Sequence, residues 1–343
     1  MPKLQFNSDY QKLAHPLILE RIIQTQDEFY PGYGLDNLCD SARNKIRKAC
    51  GCPQAEVEFL IGGTQTNATM LDTQLASYEG ILCTDTAHIA IHEAGAVEGR
   101  GHKILTLPSH DGKLVAAEVD QYIHRFYAND SHYHMVPPGV VYITHPTELG
   151  TLYTLKELED LHAICHKYDI PLYLDGARLG YGLAATHTDV TLKDVTRLCD
   201  VFYIGGTKVG AMIGEAVVAP KPILFKNSLT QIKNHGALLA KGWLLGLQFD
   251  ALFTDNLYLK ISRHAILMAE KLKAGLAAKG YDFLCDSPTN LQFIIVTPEE
   301  KNRIEQFADI MTDHELADGR FVLRLATAWY TQEEDIDQLL ALL

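Results

Sequence analysis

The chain has 343 residues, 47% hydrophobic and 21% charged, the make-up of a globular protein with a large core. Its 30 Lys and Arg against 43 Asp and Glu leave a net charge of −13. That balance argues against nucleic acid or an anionic membrane as a main partner, but it leaves room for a small anion in a local cationic pocket.

At this length single cores split, so one large domain and a smaller one are expected. The opening Met1 to Tyr10 holds no apolar core of signal-peptide length, and no apolar run long enough for a membrane span occurs. Seven cysteines, scattered and odd in number, argue against a disulfide framework and for a reduced, cytoplasmic setting. Cys50 and Cys52 lie close together, but a lone C-x-C is a poor metal signal, and no metal is expected.

In chain order, residues 1–15 read as extended, and Pro16 opens a helix to about Gln26. Tyr30-Pro31-Gly32-Tyr33-Gly34 reads as a loop, and Asp36 to Lys48 carries helical spacing. From Glu56 onward strand, loop and helix alternate. Strand-like runs cover Val57–Ile61, Ile81–Cys83, Lys103–Leu107, Val140–Thr144, Leu172–Leu174, Val201–Ile204 and Ala216–Ala219. Helical patterns fall between most of them, notably Thr66–Ser77, Val115–Tyr127 and Leu155–Tyr168. This alternation predicts an α/β fold: a mostly parallel seven-stranded sheet with helices on both faces. Active sites of such sheets lie at the carboxyl ends of the strands.

After Pro222 the pattern changes. Long helical stretches cover about Leu224–Phe253 and Asn256–Lys279. Leu291–Val296, a helix near Lys301–Ala308, Phe321–Ala326 and an amphipathic helix from Gln332 then predict a small α+β domain. The chain divides on this reading into a large domain, 1–250, and a small C-terminal one, 251–343.

Several strand ends carry chemistry-bearing residues. The apolar run Val201–Ile204 stops at Gly205-Gly206 and delivers Thr207-Lys208. Desolvation at such a site lowers a lysine's pKa and suits a Schiff-base amine; a solvated turn lysine is the alternative. The glycines allow a tight turn or the approach of a ligand. Asp175 follows Leu172-Tyr173-Leu174, where it is either a functional carboxylate or a helix N-cap. An aspartate facing a pyridine nitrogen, with a lysine amine on the same sheet edge, is what a pyridoxal phosphate enzyme needs.

Other signals are weaker. Gly62-Gly63-Thr64 follows a strand and starts a helix, so free amides and a hydroxyl stand ready for a phosphate, without matching G-x-G-x-x-G or a P-loop. His88 and His92 have metal-helix spacing but lack the glutamate of H-E-x-x-H, so a histidine stacked on a ring or an ordinary helix residue is the better reading. His132 and His134 are ambiguous. Arg324 sits inside the apolar run Phe321–Ala326, where it either snorkels from an edge strand or receives a carboxylate.

Together these pieces resemble the low-specificity L-threonine aldolases, pyridoxal phosphate enzymes of the aspartate aminotransferase fold (fold type I). The resemblance spans almost the whole chain. It rests on Asn7-Ser8-Asp9, Gly63-Thr64-x-x-Asn67, Thr86-Ala87-His88-Ile89 with Glu93-x-Gly95-Ala96, and Thr147-Glu148-Leu149-Gly150-Thr151. It continues through Asp175-Gly176-Ala177-Arg178-Leu179 and Gly205-Gly206-Thr207-Lys208 with Gly214-Glu215-Ala216-Val217.

The resemblance implies that Lys208 carries the cofactor as a Schiff base, that Asp175 pairs with the pyridine nitrogen, and that Gly63 and Thr64 bind its phosphate. His88 would stack on the ring and join in proton transfer. Ser8, Arg178 and Arg324 would hold the substrate carboxylate, and Tyr33 would be an active-site tyrosine near a subunit boundary. A further histidine would reach the substrate hydroxyl; His134 fits best and His132 is the other candidate. A cation from a neighbouring subunit would help bind phosphate, with Lys233 the nearest match.

The implied reaction is retro-aldol cleavage of L-threonine or L-allo-threonine to glycine and acetaldehyde. Alternatives are β-elimination, an aldolase for bulkier β-hydroxy amino acids, or a non-catalytic binding protein on the same fold. The implied assembly is a homotetramer, a dimer of dimers with shared active sites.

Overall fold

The computed structural model describes residues 2–221 and 227–343. A two-residue strand, β1 (Leu4–Gln5), precedes the central sheet of β2 (Glu56–Leu60), β3 (Gly80–Thr84), β4 (Lys103–Leu107), β5 (Pro138–Thr144), β6 (Leu172–Asp175), β7 (Val201–Gly205) and β8 (Glu215–Ala219). Their order is β2-β8-β7-β6-β5-β3-β4, and β8 alone runs against the others. Strands β3, β6, β7 and β8 are buried at every position, which is why they read as continuous apolar runs.

Alternate residues of these strands serve two cores. Leu174 and Phe202 face one core, shared with Ile46, Leu161 and Phe249 from helices 37–50, 155–167 and 243–252. Tyr173 and Tyr203 face the other, closed by Met70 and Leu71 of helix 63–74 and by Ile232. The chain leaves β3 for the edge strand β4, then returns to the other side of β3 as β5 and builds outward. Such a reversal opens a crevice beyond the carboxyl ends of the strands.

The C-terminal part supplies β9 (Asp282–Phe283), β10 (Leu291–Val296), β11 (Ala308–Asp309), β12 (Met311–Glu315) and β13 (Phe321–Ala326). Four of them form an antiparallel sheet, β12-β13-β10-β9, joined to the large sheet's region by the helix Leu257–Ala278. Strand β11 pairs instead with β1. Leu4 and Phe6 therefore pack with Leu272, Ile294 and Leu325, so the first residues join the core built by the last.

Two expectations change. The helix read over Leu224–Phe253 is two helices, Ser228–Asn234 and Trp243–Leu252, while residues 222–226 lie outside the described ones. Gly236 takes a left-handed φ of 70°, and Gly242 lets the backbone come so close that a Cβ there would sit 2.8 Å from Gly34 N. The strand β12 escaped notice because Met-Thr-Asp-His-Glu is polar and half exposed, with no apolar alternation. Among the described residues no helix is long and apolar enough to cross a membrane.

Candidate active site

A cavity of about 310 Å³ opens at the carboxyl ends of β3, β5, β6 and β7. Its walls include Gly63, Thr64, His88, Glu93, Glu148, Asp175, Lys208 and Glu215. A larger hollow of about 840 Å³, near Lys48, Leu183 and Leu259, lies away from these strand ends and from this chemistry.

Asp175 ends β6 and is buried. One carboxylate oxygen accepts from Tyr142 Oη at 2.6 Å and Asn67 Nδ2 at 2.9 Å. The other accepts from Tyr203 Oη at 2.5 Å and the Ala177 amide at 3.0 Å. Burial alone would raise its pKa, but the bonds from Tyr142, Tyr203, Asn67 and Ala177 outweigh it and hold the carboxyl below the usual range. Asp175 is therefore a buried anion at the end of a buried strand.

Lys208 follows β7 in a turn where the Gly206 and Thr207 amides both donate to the Gly214 carbonyl at 3.1 Å. It is half-buried, and its ammonium has no ion pair among the described residues. Burial, then the positive charge of Arg178, pull its pKa down, which favours the neutral amine. The glycines before it have a structural reason. A Cβ on Gly205 would stand 2.1 Å from the Ala177 carbonyl oxygen, and one on Gly206 would stand 2.7 Å from that of Gly214. They let two strand ends close on each other.

Glu215 opens β8 beside this turn and accepts from the Gly206 amide at 3.1 Å. Burial pushes its pKa to about 8, against the opposing pull of Lys208. Across the cavity, His88 Nδ1 meets Glu93 Oε1 at 2.8 Å, and the same oxygen takes Asn67 Nδ2 at 2.8 Å. Burial would lower the His88 pKa, but the Glu93 bond and the charges of Glu148 and Asp175 raise it overall.

The helix Gly63–Gln74 starts at the cavity wall with no side chain capping it, so its first amides are free. A Cβ on Gly63 would lie 3.1 Å from Tyr203 Oη, so the backbone approaches closely there.

The two arginines do not line the cavity; the charge of Arg178 acts on Lys208 and on Arg324. Arg178 is buried and grips Asp9 with two bonds, Nε at 2.7 Å and Nη2 at 3.2 Å. Asn290 also donates to Asp9, at 3.0 Å. Arg324 gives one long bond, Nη2 to the Asn7 carbonyl at 3.3 Å, and its buried Nε has no partner among the described residues. Burial and then Arg178 lower its pKa. Ser8 lies between these contacts, buried, with its carbonyl accepting from Tyr330 Oη at 2.8 Å.

The structure thus gathers Lys208, Asp175, His88, Gly63 and Thr64 around one cavity. It sets His132 and His134 apart. They form a short turn just before β5, at the amino end of a seven-residue strand whose carboxyl end faces the cavity. At roughly 3.3 Å per residue the strand alone separates them from the site by about 20 Å. In a single chain neither can reach a ligand there, because a parallel strand carries its two flanking loops to opposite edges. Lys233 and Tyr33 also lie off the cavity walls, with Lys233 Nζ 4.8 Å from the Tyr33 ring centre.

Sequence reasoning gave no role to Glu93, Glu148, Glu215, Asn67, Tyr142 or Tyr203. Asn67, Glu93, Glu148 and Glu215 stand in the motifs that carry the resemblance, which is the signal that could have found them; Tyr142 and Tyr203 are ordinary strand residues until the sheet brings them to Asp175.

The chemistry of these groups fits pyridoxal phosphate: a half-buried amine, an ionised aspartate at the same sheet edge, and a free helix N-terminus. The fold and the cavity define an α/β protein of fold type I. A solved Thermus thermophilus aspartate aminotransferase shares that fold at 13% identity, with a TM-score of 0.74 and 99% of this chain and 90% of that chain covered. The model of the β-eliminating lyase family matches residues 23–298, and the chain belongs to that family. Within it, a low-specificity L-threonine aldolase of a Pseudomonas species is 32% identical over 250 residues, 71% of this chain and 70% of the relative. The solved threonine aldolase of Leishmania major is 40% identical, with a TM-score of 0.96 and 99% and 98% of the two chains covered.

Proposed function

We propose that this protein is a pyridoxal phosphate-dependent lyase that cleaves L-threonine and L-allo-threonine to glycine and acetaldehyde. The observation that carries this reading is one cavity holding an unpaired, half-buried Lys208 and a four-times hydrogen-bonded, ionised Asp175. When bound, the cofactor supplies an electron sink for the bond broken at the substrate Cα.

The chain's own residues do the rest. Lys208 offers an amine whose neutral form is favoured by burial. Asp175 holds a proton on the pyridine nitrogen by staying anionic beside it. The amides of Gly63 and Thr64 bind the phosphate at a helix N-terminus. Glu93 fixes the His88 ring at the cavity wall. Arg324 receives the substrate carboxylate with its unpartnered Nε, and Arg178, held by Asp9, sets the positive field beside it. Ser8 keeps the segment between the two arginines in place. Fixing amine and carboxylate together sets the orientation of the Cα–Cβ bond.

The protein with pyridoxal phosphate is expected to release acetaldehyde from both substrates. Lys208→Ala should bring this to background and remove the covalently held cofactor, read by borohydride reduction and intact mass. A wild type that releases no acetaldehyde from either amino acid would sink the assignment. β-Elimination is the second reading, favoured by the family's description; comparing L-threonine with phenylserine and with amino acids bearing a β leaving group separates the three.

The same reading makes the protein a homo-oligomer, a dimer of dimers with shared sites. Leu13, Ile23, Phe29 and Leu35 support it: all are exposed within one short stretch, Phe29 fully at 100%. Lys233 and Tyr33 would then serve a neighbouring subunit's phosphate and substrate. A cytoplasmic location belongs to the same reading and is supported by seven free cysteines, six of them buried; secretion of the protein would refute it.

A further inference from the structure

Four carboxylates face the cavity, and three are committed to the protein. Glu93 holds His88 and Asn67. Asp175 takes four donors, and Glu215 accepts the Gly206 amide. Glu148 is different. It makes no hydrogen bond or ion pair among the described residues, and it is half-buried.

Its backbone is nevertheless held firmly. The Gly150 amide donates to the Thr147 carbonyl at 2.8 Å, and the Thr147 amide donates to the Thr151 carbonyl at 3.0 Å. Buried Ser287 and Thr289 both donate to the Gly150 carbonyl, at 3.2 and 2.9 Å. Gly150 has a left-handed φ of 73°, and a Cβ there would clash with Ser287 Oγ at 2.3 Å. A carboxylate on a braced turn, with no protein partner, is positioned for something that the chain does not contain. Its charge pulls upward on the pKa of His88, Lys208 and Arg178, against burial in each case, so it stands among the groups of the site although the pKa of Lys208 is lowered overall.

This inference rests on the proposed function. An amino acid with its amine at Lys208 and its carboxylate at Arg324 still presents one donor, the hydroxyl on Cβ. That donor needs an acceptor, and within one chain His132 and His134 stand at the other edge of the sheet. We propose that Glu148 accepts the hydrogen bond of the substrate's β-hydroxyl and takes its proton as the Cα–Cβ bond breaks. The O–H electron pair becomes the second bond of the aldehyde carbonyl. The Cα–Cβ pair passes to Cα, in conjugation with the bound pyridoxal phosphate, and a proton then joins Cα to give glycine. One proton leaves oxygen and one arrives at carbon, so the reaction balances. Glu148 thus selects β-hydroxy amino acids from those without the hydroxyl.

The test is Glu148→Gln in the holoenzyme. Its kcat on L-threonine should fall about 100-fold or more, the scale of a lost general base. Exchange of the glycine α-proton with deuterated solvent should be unchanged, since that step involves no hydroxyl. The preference for binding L-serine over L-alanine, read by spectral titration, should fall about tenfold, the scale of one bond to a charged acceptor. Full threonine turnover in the variant would overturn the proposal, as would glycine exchange falling in parallel with turnover. The urea midpoint of the cofactor-free variant shows whether it folds; if it does not, Glu148→Asp, which keeps the charge but withdraws it, takes the same three measurements. If the wild type cleaves no β-hydroxy amino acid, the proposed function fails separately, and the serine-to-alanine preference still judges Glu148.

Discussion

The two walls of the cavity are built on opposite terms. Around Asp175 four donors, from Asn67, Tyr142, Tyr203 and the Ala177 amide, converge on one carboxylate, and Glu93 fixes His88 through Oε1 while its buried Oε2 has no partner among the described residues. Around Lys208, Glu148 and Arg324 the charged groups are left open among the described residues, with one long bond from Arg324 and none from the side chains of the other two. The first wall stands on strand ends of the large sheet. The second carries Lys208 and Glu148, whose turn leans on Ser287 and Thr289, and Arg324 of β13 in the small sheet stands behind it. The difference teaches what each wall is for. Satisfied groups position a permanent resident without reorganising, whereas open charges cost stability until a transient ligand pairs them.

Asp175→Asn should break the first wall and give the largest stability loss. All four donors lose a charged acceptor, and two of them face an NH2 group that cannot accept, which costs about 2–4 kcal/mol. Urea unfolding of the cofactor-free protein at neutral pH measures it, and cofactor affinity should fall with it. The folded pKa of Asp175 is depressed, so its contribution is present above the unfolded value of 3.8 and is lost as pH falls through the folded value. The gap between wild type and variant should therefore close in acid; a constant gap would mean that Asp175 is not held ionised.

On the second wall the outcome should reverse. Arg324→Ala should leave the unfolding midpoint unchanged or higher, because it removes a buried charge with an unpartnered nitrogen. Its KM for L-threonine should rise roughly 10- to 100-fold, the value of a charge-assisted bond to the carboxylate. A large loss of stability with an unchanged KM would erase the distinction between the walls.

Lys233→Ala gives the smallest expected effect on the isolated chain. The exposed cation–π contact with Tyr33 is worth about 0.5–1 kcal/mol. If copies pair as proposed, the variant should still weaken pyridoxal phosphate binding in equilibrium dialysis. Unchanged cofactor affinity would remove Lys233 from the partner's site.

The boundaries of β10 and β13 were legible to the residue, because largely buried strands are dense apolar runs whatever surrounds them; those of the half-exposed edge strand β4, Lys-Ile-Leu-Thr-Leu, were legible too. Lys208 and Asp175 were legible for a related reason: a charge placed directly after such a run has nowhere to go but the strand end. Of the two reasons open for Gly205, a tight backbone turn or the approach of a ligand, the structure shows the close approach of two strand ends.

By itself, then, the sequence determined the alternation of strands and helices, the charges at the strand ends and the family these belong to. Local patterns settle such features because period, turn chemistry and burial act within a few residues. Only the tertiary structure decided which edge of the sheet each loop reaches. Within one chain it placed His132 and His134 away from the cavity, locked Arg178 onto Asp9, and left Glu148 and Arg324 without an ion pair among the described residues. Those outcomes depend on residues more than 100 positions apart meeting at one crevice, and no local period encodes which of them will find a partner.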